Sequence, residues 1–412
     1  MKSLFQFTSR QFSTSRVACG LESTLKSNFY NSEQLALQES VKKLVEEVIN
    51  PNADQWDKDK IFPAKEVYKK FGDAGFLGIH RPTEYGGQGL SYKYNVAFIE
   101  ALGHSQSAGA AMAIGVHTDC TTPALVNFGS EKLKQDYLVP AIAGDAVTSL
   151  AVSEPGGGSD VANIKTTATR SGDDLVINGS KMWITSGMQS DWACLLANTE
   201  KEGGKYGNKS LIVLPMDSKG ITKSAINKMG MRDSDTAILT FDNVHVPSEN
   251  IIGEPGMGFT YQMLQFQEER LAAAIGCLVP LTAVLEETIE YCKQRQAFGQ
   301  PLLNNQYLSF RLAELFTELE MMRAATYQAV DMMEEGQNVT LLASMLKLKG
   351  GRLAREITDS CLQFWGGMGF TEEVLVSRLY RDLRLWSIGG GADEVMLGII
   401  CKLSGMMPSK QK

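Results

Sequence analysis

Leu264-Gln-Phe-Gln-Glu-Glu-Arg-Leu-Ala-Ala-Ala274 continues in a helical pattern as far as Lys293-Gln-Arg-Gln-Ala-Phe-Gly299. Downstream of Arg270 the residues Leu278, Leu281, Leu285, Ile289 and Cys292 step by three and four, so one face of a long helix is buried. A kink is expected at Pro280, whose ring crowds the preceding turn. Near the start of this helix stand two carboxylates and an arginine, Glu268, Glu269 and Arg270. Alone, such a run is more often a solvated helix end than a site, and its meaning depends on what surrounds it.

Before this stretch the texture is different. From 147 to 244 the chain breaks into short β-rich runs: 147–152, 166–170, 175–178, 181–185, 192–197, 211–214 and 237–244. Ser171-Gly-Asp-Asp174 and Asn178-Gly179 punctuate them as turns. The expectation is an antiparallel β-barrel or sandwich of about a hundred residues. Earlier still the period is helical. Leu37, Val41, Leu44 and Val48 share a face that ends at Asn50-Pro51, and 63–74, 94–102 and 130–142 are amphipathic. After Pro247 helices return: Leu308, Leu312, Leu315, Leu319 and Met322 keep heptad spacing, and 342–364 and 392–403 add to an antiparallel bundle. The fold class is therefore multidomain α and β. A helical N-terminal domain (28–147) precedes a middle β domain (148–247) and a C-terminal helical bundle (256–406).

With 412 residues, 43% of them hydrophobic, the chain can build sizeable cores. A formal charge of −7 gives no general attraction to nucleic acid or anionic membranes. No apolar run of about 18 residues stands out as a membrane span. Seven cysteines lack Cys-x-x-Cys spacing and four histidines lack His-Glu-x-x-His spacing, so neither a disulfide framework nor a metal site is expected. Residues 1–21 carry Lys2, Arg10 and Arg16 and no acid, in a run rich in serine and phenylalanine. That composition fits a mitochondrial presequence, and hence a matrix location.

Two further stretches carry chemistry. Ser149-Leu-Ala-Val-Ser-Glu-Pro-Gly-Gly-Gly-Ser-Asp160 follows a strand with a glycine-dense loop whose N–H groups can face an anion, although a plain flexible turn fits as well. It lacks the Gly-Lys-Ser/Thr of a P-loop and the dinucleotide fingerprint. Lys181-Met-Trp-Ile-Thr-Ser-Gly187 sets a large aromatic beside a hydroxyl at a strand end, where a flat cofactor ring could stack. Gly103-His-Ser-Gln-Ser107 misses the nucleophile-elbow pattern, and a hydrolase is set aside.

Together with Arg295-Gln-Ala-Phe-Gly299, Gln363-Phe-Trp-Gly-Gly-Met-Gly-Phe370 and Arg381-Asp382, these motifs give the chain from about Ser32 to Met406 a resemblance to the acyl-CoA dehydrogenase family. The resemblance implies FAD held in extended form between barrel and bundle, and a homotetramer in which neighbouring subunits complete each flavin site. It implies that Leu150, Val152, Ser153, Gly158 and Ser159 line the flavin and that Trp183, Ile184 and Thr185 lie over its ring. Arg295, Phe298, Gln306, Gln363, Gly366 and Gly367 match positions at the adenosine diphosphate half, and Ala392 and Glu394 further cofactor positions. Leu150 and Ser153 stand where many relatives have tyrosine and threonine.

The family's usual catalytic glutamate near the C-terminus is replaced here by Gly390, within Ile388-Gly-Gly-Gly-Ala-Asp-Glu-Val-Met396. Long-chain and isovaleryl-type members share that absence. They place the glutamate directly before an arginine on the first long bundle helix, which matches Glu269 before Arg270. The resemblance thus implies Glu269 as base, with Ser159, Arg270, Gly390 and Gly391 at the substrate. The base would remove the α-proton of an acyl-CoA while the β-hydrogen leaves as hydride to the flavin, giving a trans-2-enoyl-CoA. Electrons would pass on to an electron-transferring flavoprotein. An oxygen-reacting oxidase of the same fold and a non-catalytic acyl-CoA binder remain alternatives.

Overall fold

The computed structural model describes residues 20–199 and 203–407. The expected presequence lies outside them, apart from its last two residues.

The first helical part opens with a helix Gly20–Phe29, and Asn31 caps the next one. Its side chain accepts from the Gln34 N–H, and the Gln34 side chain accepts from the Asn31 N–H, both at 2.9 Å, which satisfies two otherwise unpaired donors. The helix Ser32–Leu44 does not stop at Asn50-Pro51 as expected. It widens into a π turn at Val45–Ile49, tightens into a 3₁₀ turn at Asn50–Asn52 and resumes as Ala53–Asp59. Pro51 is tolerated because it falls in the first turn of the new segment, where no intrahelical donor is required. Helices Ala64–Asp73, Tyr92–Leu102 and Ala108–Gly115 follow, and the last runs into a second π turn, Val116–Thr121.

The middle part is one eight-stranded sheet. Its strands are β1 (Thr148–Ala151), β2 (Thr167–Ser171), β3 (Asp174–Ile184), β4 (Trp192–Asn198), β5 (Lys209–Pro215), β6 (Ile221–Ala225), β7 (Ala237–Pro247) and β8 (Ile251–Ile252). The hydrogen-bonded order is β6-β7-β3-β2-β4-β5-β8, with β1 beside β4. Most pairings are antiparallel, but β1 and β2 both run parallel to β4, so the sheet is mixed. Asn178-Gly179 is a bulge inside the single strand β3 rather than a turn between two strands. Gly179 has φ +138°, and a Cβ there would lie 2.7 Å from Thr166 Oγ1, so only glycine lets the two chains close. β6 went unread because its residues (Ile-Thr-Lys-Ser-Ala) show no apolar alternation, being half-buried or exposed throughout.

The closing helices are Gly258–Gly276, Leu278–Gln294, Gln306–Glu334, Thr340–Trp365, Leu375–Asp382 and Asp393–Leu403. The first two meet at Cys277, three residues before the expected kink. A proline ring collides with the carbonyl four residues back, here Gly276, so the break appears upstream of Pro280. By length and composition Gly258–Gln294 is long and apolar enough to cross a membrane, contrary to expectation. Here Leu271, Ile275, Leu281 and Leu285 are instead buried in the protein core.

That core is shared. Val41, Phe71 and Val96 of the first helices join Leu278, Leu315, Leu346 and Ile357 of the last in a single cluster. The sheet has its own interior around Ile177, Leu195, Ile212 and Leu239. A polar clasp crosses the shared core. Fully buried Arg323 donates to Glu320 at 3.1 Å and to Thr282 at 2.7 Å, and lies 3.7 Å from Glu100. Glu100 also accepts from Tyr327 at 2.8 Å and from Gln38 at 3.2 Å.

Candidate active site

The glycine loop is anchored from behind. Lys181, buried on β3, donates to the Val152 carbonyl at 2.8 Å and to Glu154 at 2.9 Å. Glu154 also accepts the N–H groups of Lys165 at 2.7 Å and Thr166 at 2.9 Å. Burial drives the Lys181 pKa down to about 8, with the Glu154 charge opposing it. The Met182 N–H donates to Ser153 O at 2.9 Å, which ties the loop to the end of β3. Gly158 and Ser159 are left facing outward. One residue past Met182, Trp183 is 56% exposed and holds φ +67°, a left-handed conformation that a bulky side chain rarely adopts. Ile184 points into the sheet core, so its backbone alone can meet a ligand, while Thr185 is half-buried.

Glu269 is half-buried between elements far apart in sequence. Its neighbours are the Cys120 thiol, which donates toward it, and Asp119, both on the Val116–Thr121 turn, together with Cys194 on β4. Cys194 pairs with Leu150 of β1 in the sheet register, which brings that predicted flavin position to the same region. Burial pushes the Glu269 carboxyl up to about 8, against the pull of Arg270 and the Cys120 hydrogen bond and with help from Asp119 and Glu268. Gln262 Nε2 approaches Glu269 Oε1 at 3.4 Å. Glu268 faces elsewhere, into a cleft of about 340 Å³ lined also by His80, Arg81 and Asn127. Successive helical residues point about 100° apart, so the two adjacent carboxylates have separate surroundings.

Arg270 is buried, and burial lowers its pKa while Glu269 opposes the shift. Its charge reaches Lys347, whose pKa burial brings down to about 8 and whose ammonium donates to the Gly391 carbonyl. The Gly390–Gly391 loop is thereby linked to the Glu269–Arg270 helix. Both glycines have positive φ, and a Cβ on Gly390 would meet nothing within 4 Å. Ala392 and Glu394 flank Asp393, which accepts from Arg355 at 3.0 Å at the start of the last long helix.

A third group gathers at one end of the bundle. Tyr291 stacks on Trp365 at 4.1 Å and Tyr307 packs edge-on to Phe364 at 6.4 Å. These contacts bring together the segments carrying Arg295, Gln306, Gln363, Gly366 and Gly367. All five residues are exposed, and Phe298 is fully exposed at φ +51°.

Models of the acyl-CoA dehydrogenase N-terminal, middle and C-terminal domains match residues 31–145, 149–244 and 256–404 in turn. The chain belongs to the acyl-CoA dehydrogenase family. Its members are flavin-dependent oxidoreductases that act on acyl-CoA and require FAD. The chain is 34% identical to the mitochondrial short-chain specific acyl-CoA dehydrogenase of Rattus norvegicus, over 88% of each protein. It is 33% identical to the mitochondrial isovaleryl-CoA dehydrogenase of Solanum tuberosum, over 90% of each. A crystal structure of acyl-CoA dehydrogenase from Geobacillus kaustophilus is 33% identical, with a TM-score of 0.88 over 91% of this chain and 98% of that one. Short-chain and isovaleryl relatives are equally near, so overall likeness does not rank acyl groups.

The residues present suit FAD. Trp183 offers an uncovered flat ring beside a loop with free N–H groups, and a Cβ on Gly158, Gly366 or Gly367 would meet nothing within 4 Å. Arg295 supplies a permanent charge suited to a pyrophosphate. Near Glu269, both amide atoms of buried Gln265, Oε1 of Gln262 and Nε of Arg270 have no partner within the protein, as expected of a wall facing a polar ligand. Sequence reasoning missed Gln262, Cys120 and Lys347. Gln262 was legible as the residue two turns before Glu269 on the same face, whereas Cys120 and Lys347 reach the site only through tertiary packing.

Proposed function

We propose that this family member is a mitochondrial matrix acyl-CoA dehydrogenase that uses Glu269 as its base. It desaturates acyl-CoA thioesters to trans-2-enoyl-CoA in fatty-acid or branched-chain oxidation. The observation that carries this is the Glu269 carboxyl, half-buried, raised in pKa and approached by Gln262 on its own helix and by the Cys120 thiol on the Val116–Thr121 turn, while the alternative position is Gly390. Bound FAD would supply the two-electron acceptor. Leu150, Val152, Ser153, Gly158, Ser159 and the backbone at Trp183–Thr185 would hold the flavin ring and its linker. Arg295, Phe298, Gln306 and 363–367 would hold the adenosine diphosphate half across a homotetramer interface.

Glu269 would take the α-proton, and a desolvated carboxylate is a stronger base than one in water. The thioester oxygen needs donors aimed at its growing charge, and the Gly390 N–H, next to the Lys347-held Gly391, is the protein's candidate. Electrons would go on to an electron-transferring flavoprotein. The acid-free presequence and the mitochondrial relatives support a matrix location.

Anaerobic mixing of the holoenzyme with straight and branched acyl-CoAs should bleach the flavin absorbance and rank the substrates. No bleaching by any of them would leave a non-catalytic binder. Rapid reoxidation by oxygen after bleaching would favour an oxidase. A reporter fused to residues 1–30 should enter mitochondria, and a cytosolic signal would remove the matrix assignment.

A further inference from the structure

Taking Glu269 as the base, we propose that Gln262 is a positioning residue for the proton transfer, its side-chain amide holding the Glu269 carboxylate in the orientation from which it accepts a proton. Seven residues make almost two whole helical turns, so Gln262 lies beneath Glu269 on one face of Gly258–Gly276. Gln262 is completely buried, and a buried amide is unfavourable unless it is hydrogen-bonded. Its Nε2 lies 3.4 Å from Glu269 Oε1, a looser contact than a well-formed bond and of the kind that tightens when substrate closes a site. Its Oε1 has no partner within the protein, so no competing bond at that end turns the amide away from the carboxylate.

The other groups whose charge or side chain bears on Glu269 do not replace it. Asp119 and Glu268 repel its charge, Cys194 is a buried thiol on β4, and the Cys120 thiol is a weak donor. Arg270 attracts the carboxylate but projects a further 100° round the helix, toward Lys347. Among the described residues the Gln262 amide is the neutral nitrogen donor at this carboxylate. A space-filling role predicts a different outcome. An apolar side chain of the same size would pack as well without a half-satisfied amide, and would leave stability unchanged or higher.

The test is Gln262→Met in the FAD-loaded enzyme, read by anaerobic flavin reduction and steady-state kinetics across pH. Limiting reduction should fall about tenfold, the scale of one lost hydrogen bond to a charged group, with KM within about twofold. The acid limb of kcat/KM should move to higher pH, because the ionised carboxylate loses a donor. An unmoved limb with kcat near wild type would overturn the proposal. Should Gln262→Met fail to load flavin, Gln262→Glu keeps the shape and a polar end. A second carboxyl there must raise the limb further, and an unchanged limb would again count against the role. Glu269→Gln in parallel keeps the two ideas apart. If it still reduces flavin, the base assignment fails; if it is inert while Gln262→Met behaves as wild type, the positioning role alone fails.

Discussion

At the scale of single residues, the adjacent glutamates give the sharpest contrast. Glu269→Gln should keep the fold and its flavin, since the amide is nearly isosteric, and slow flavin reduction by about 10²–10⁴-fold, as loss of a general base does. Glu268→Gln should change little, because that side chain belongs to the cleft beside His80 and Arg81. Stopped-flow reduction by an acyl-CoA checks both. The pH profile follows from the same carboxyl. Glu269 must be ionised to act, so kcat/KM should rise through an acid limb near pH 8. For stability the sign reverses. A carboxyl raised from 4.5 to about 8 keeps a proton that the unfolded chain has released, so its contribution is complete below about pH 4 and disappears as pH climbs to 8. The Tm of Glu269→Gln relative to wild type should therefore rise from pH 5 to pH 8 in calorimetry. The resemblance singled out Glu269 of this pair, but the Cys120 thiol that approaches it comes from a distant turn, which no local pattern reveals.

Among the elements, the glycine loop depends on one buried ion pair. Replacing Lys181 by methionine leaves Glu154 buried with its main cation gone, and breaking such a pair costs about 3–5 kcal/mol. Denaturant unfolding should show that loss, and the purified protein should carry less flavin because Ser153–Asp160 is no longer held against β3. Element type was legible wherever a period persisted, as in the heptads of Gln306–Glu334. It failed where a local rule met a tertiary demand. Asn178-Gly179 has the composition of a hairpin turn but serves as a bulge because Thr166 packs against it. Ile221–Ala225 lacks alternation because it lies at one end of the hydrogen-bonded order, where only Ile221 packs against the core and the rest of the strand is half-buried or exposed.

For the whole molecule, the exposed end of the bundle matters most. Phe298, Tyr307, Phe310 and Phe370 are each more than 60% exposed, and exposed apolar residues gathered in this way are the mark of an interaction surface. If Arg295 binds pyrophosphate across an interface built on this end, Arg295→Ala should lower flavin content and weaken the proposed tetramer together. The ratio of flavin to protein absorbance and sedimentation velocity would show this; full flavin in an intact tetramer would refute the assignment. The order helical, sheet, helical was readable from changes of period. That the two helical parts share one core was not, because periodicity marks which face is buried and never names its partner.

The Glu100–Tyr327 hydrogen bond of the polar clasp joins residues 227 positions apart. At synthesis rates of about 5–20 residues per second, roughly 11–45 s separate the emergence of its two ends from the ribosome. Throughout that interval the newly made Tyr92–Leu102 helix has Gln38 and the Ser32–Leu44 helix beside it, but the part of Glu100 and of its apolar face that the C-terminal helices will cover has no partner yet. The nascent chain should therefore be a chaperone client until its final third has been translated, however early the sheet forms.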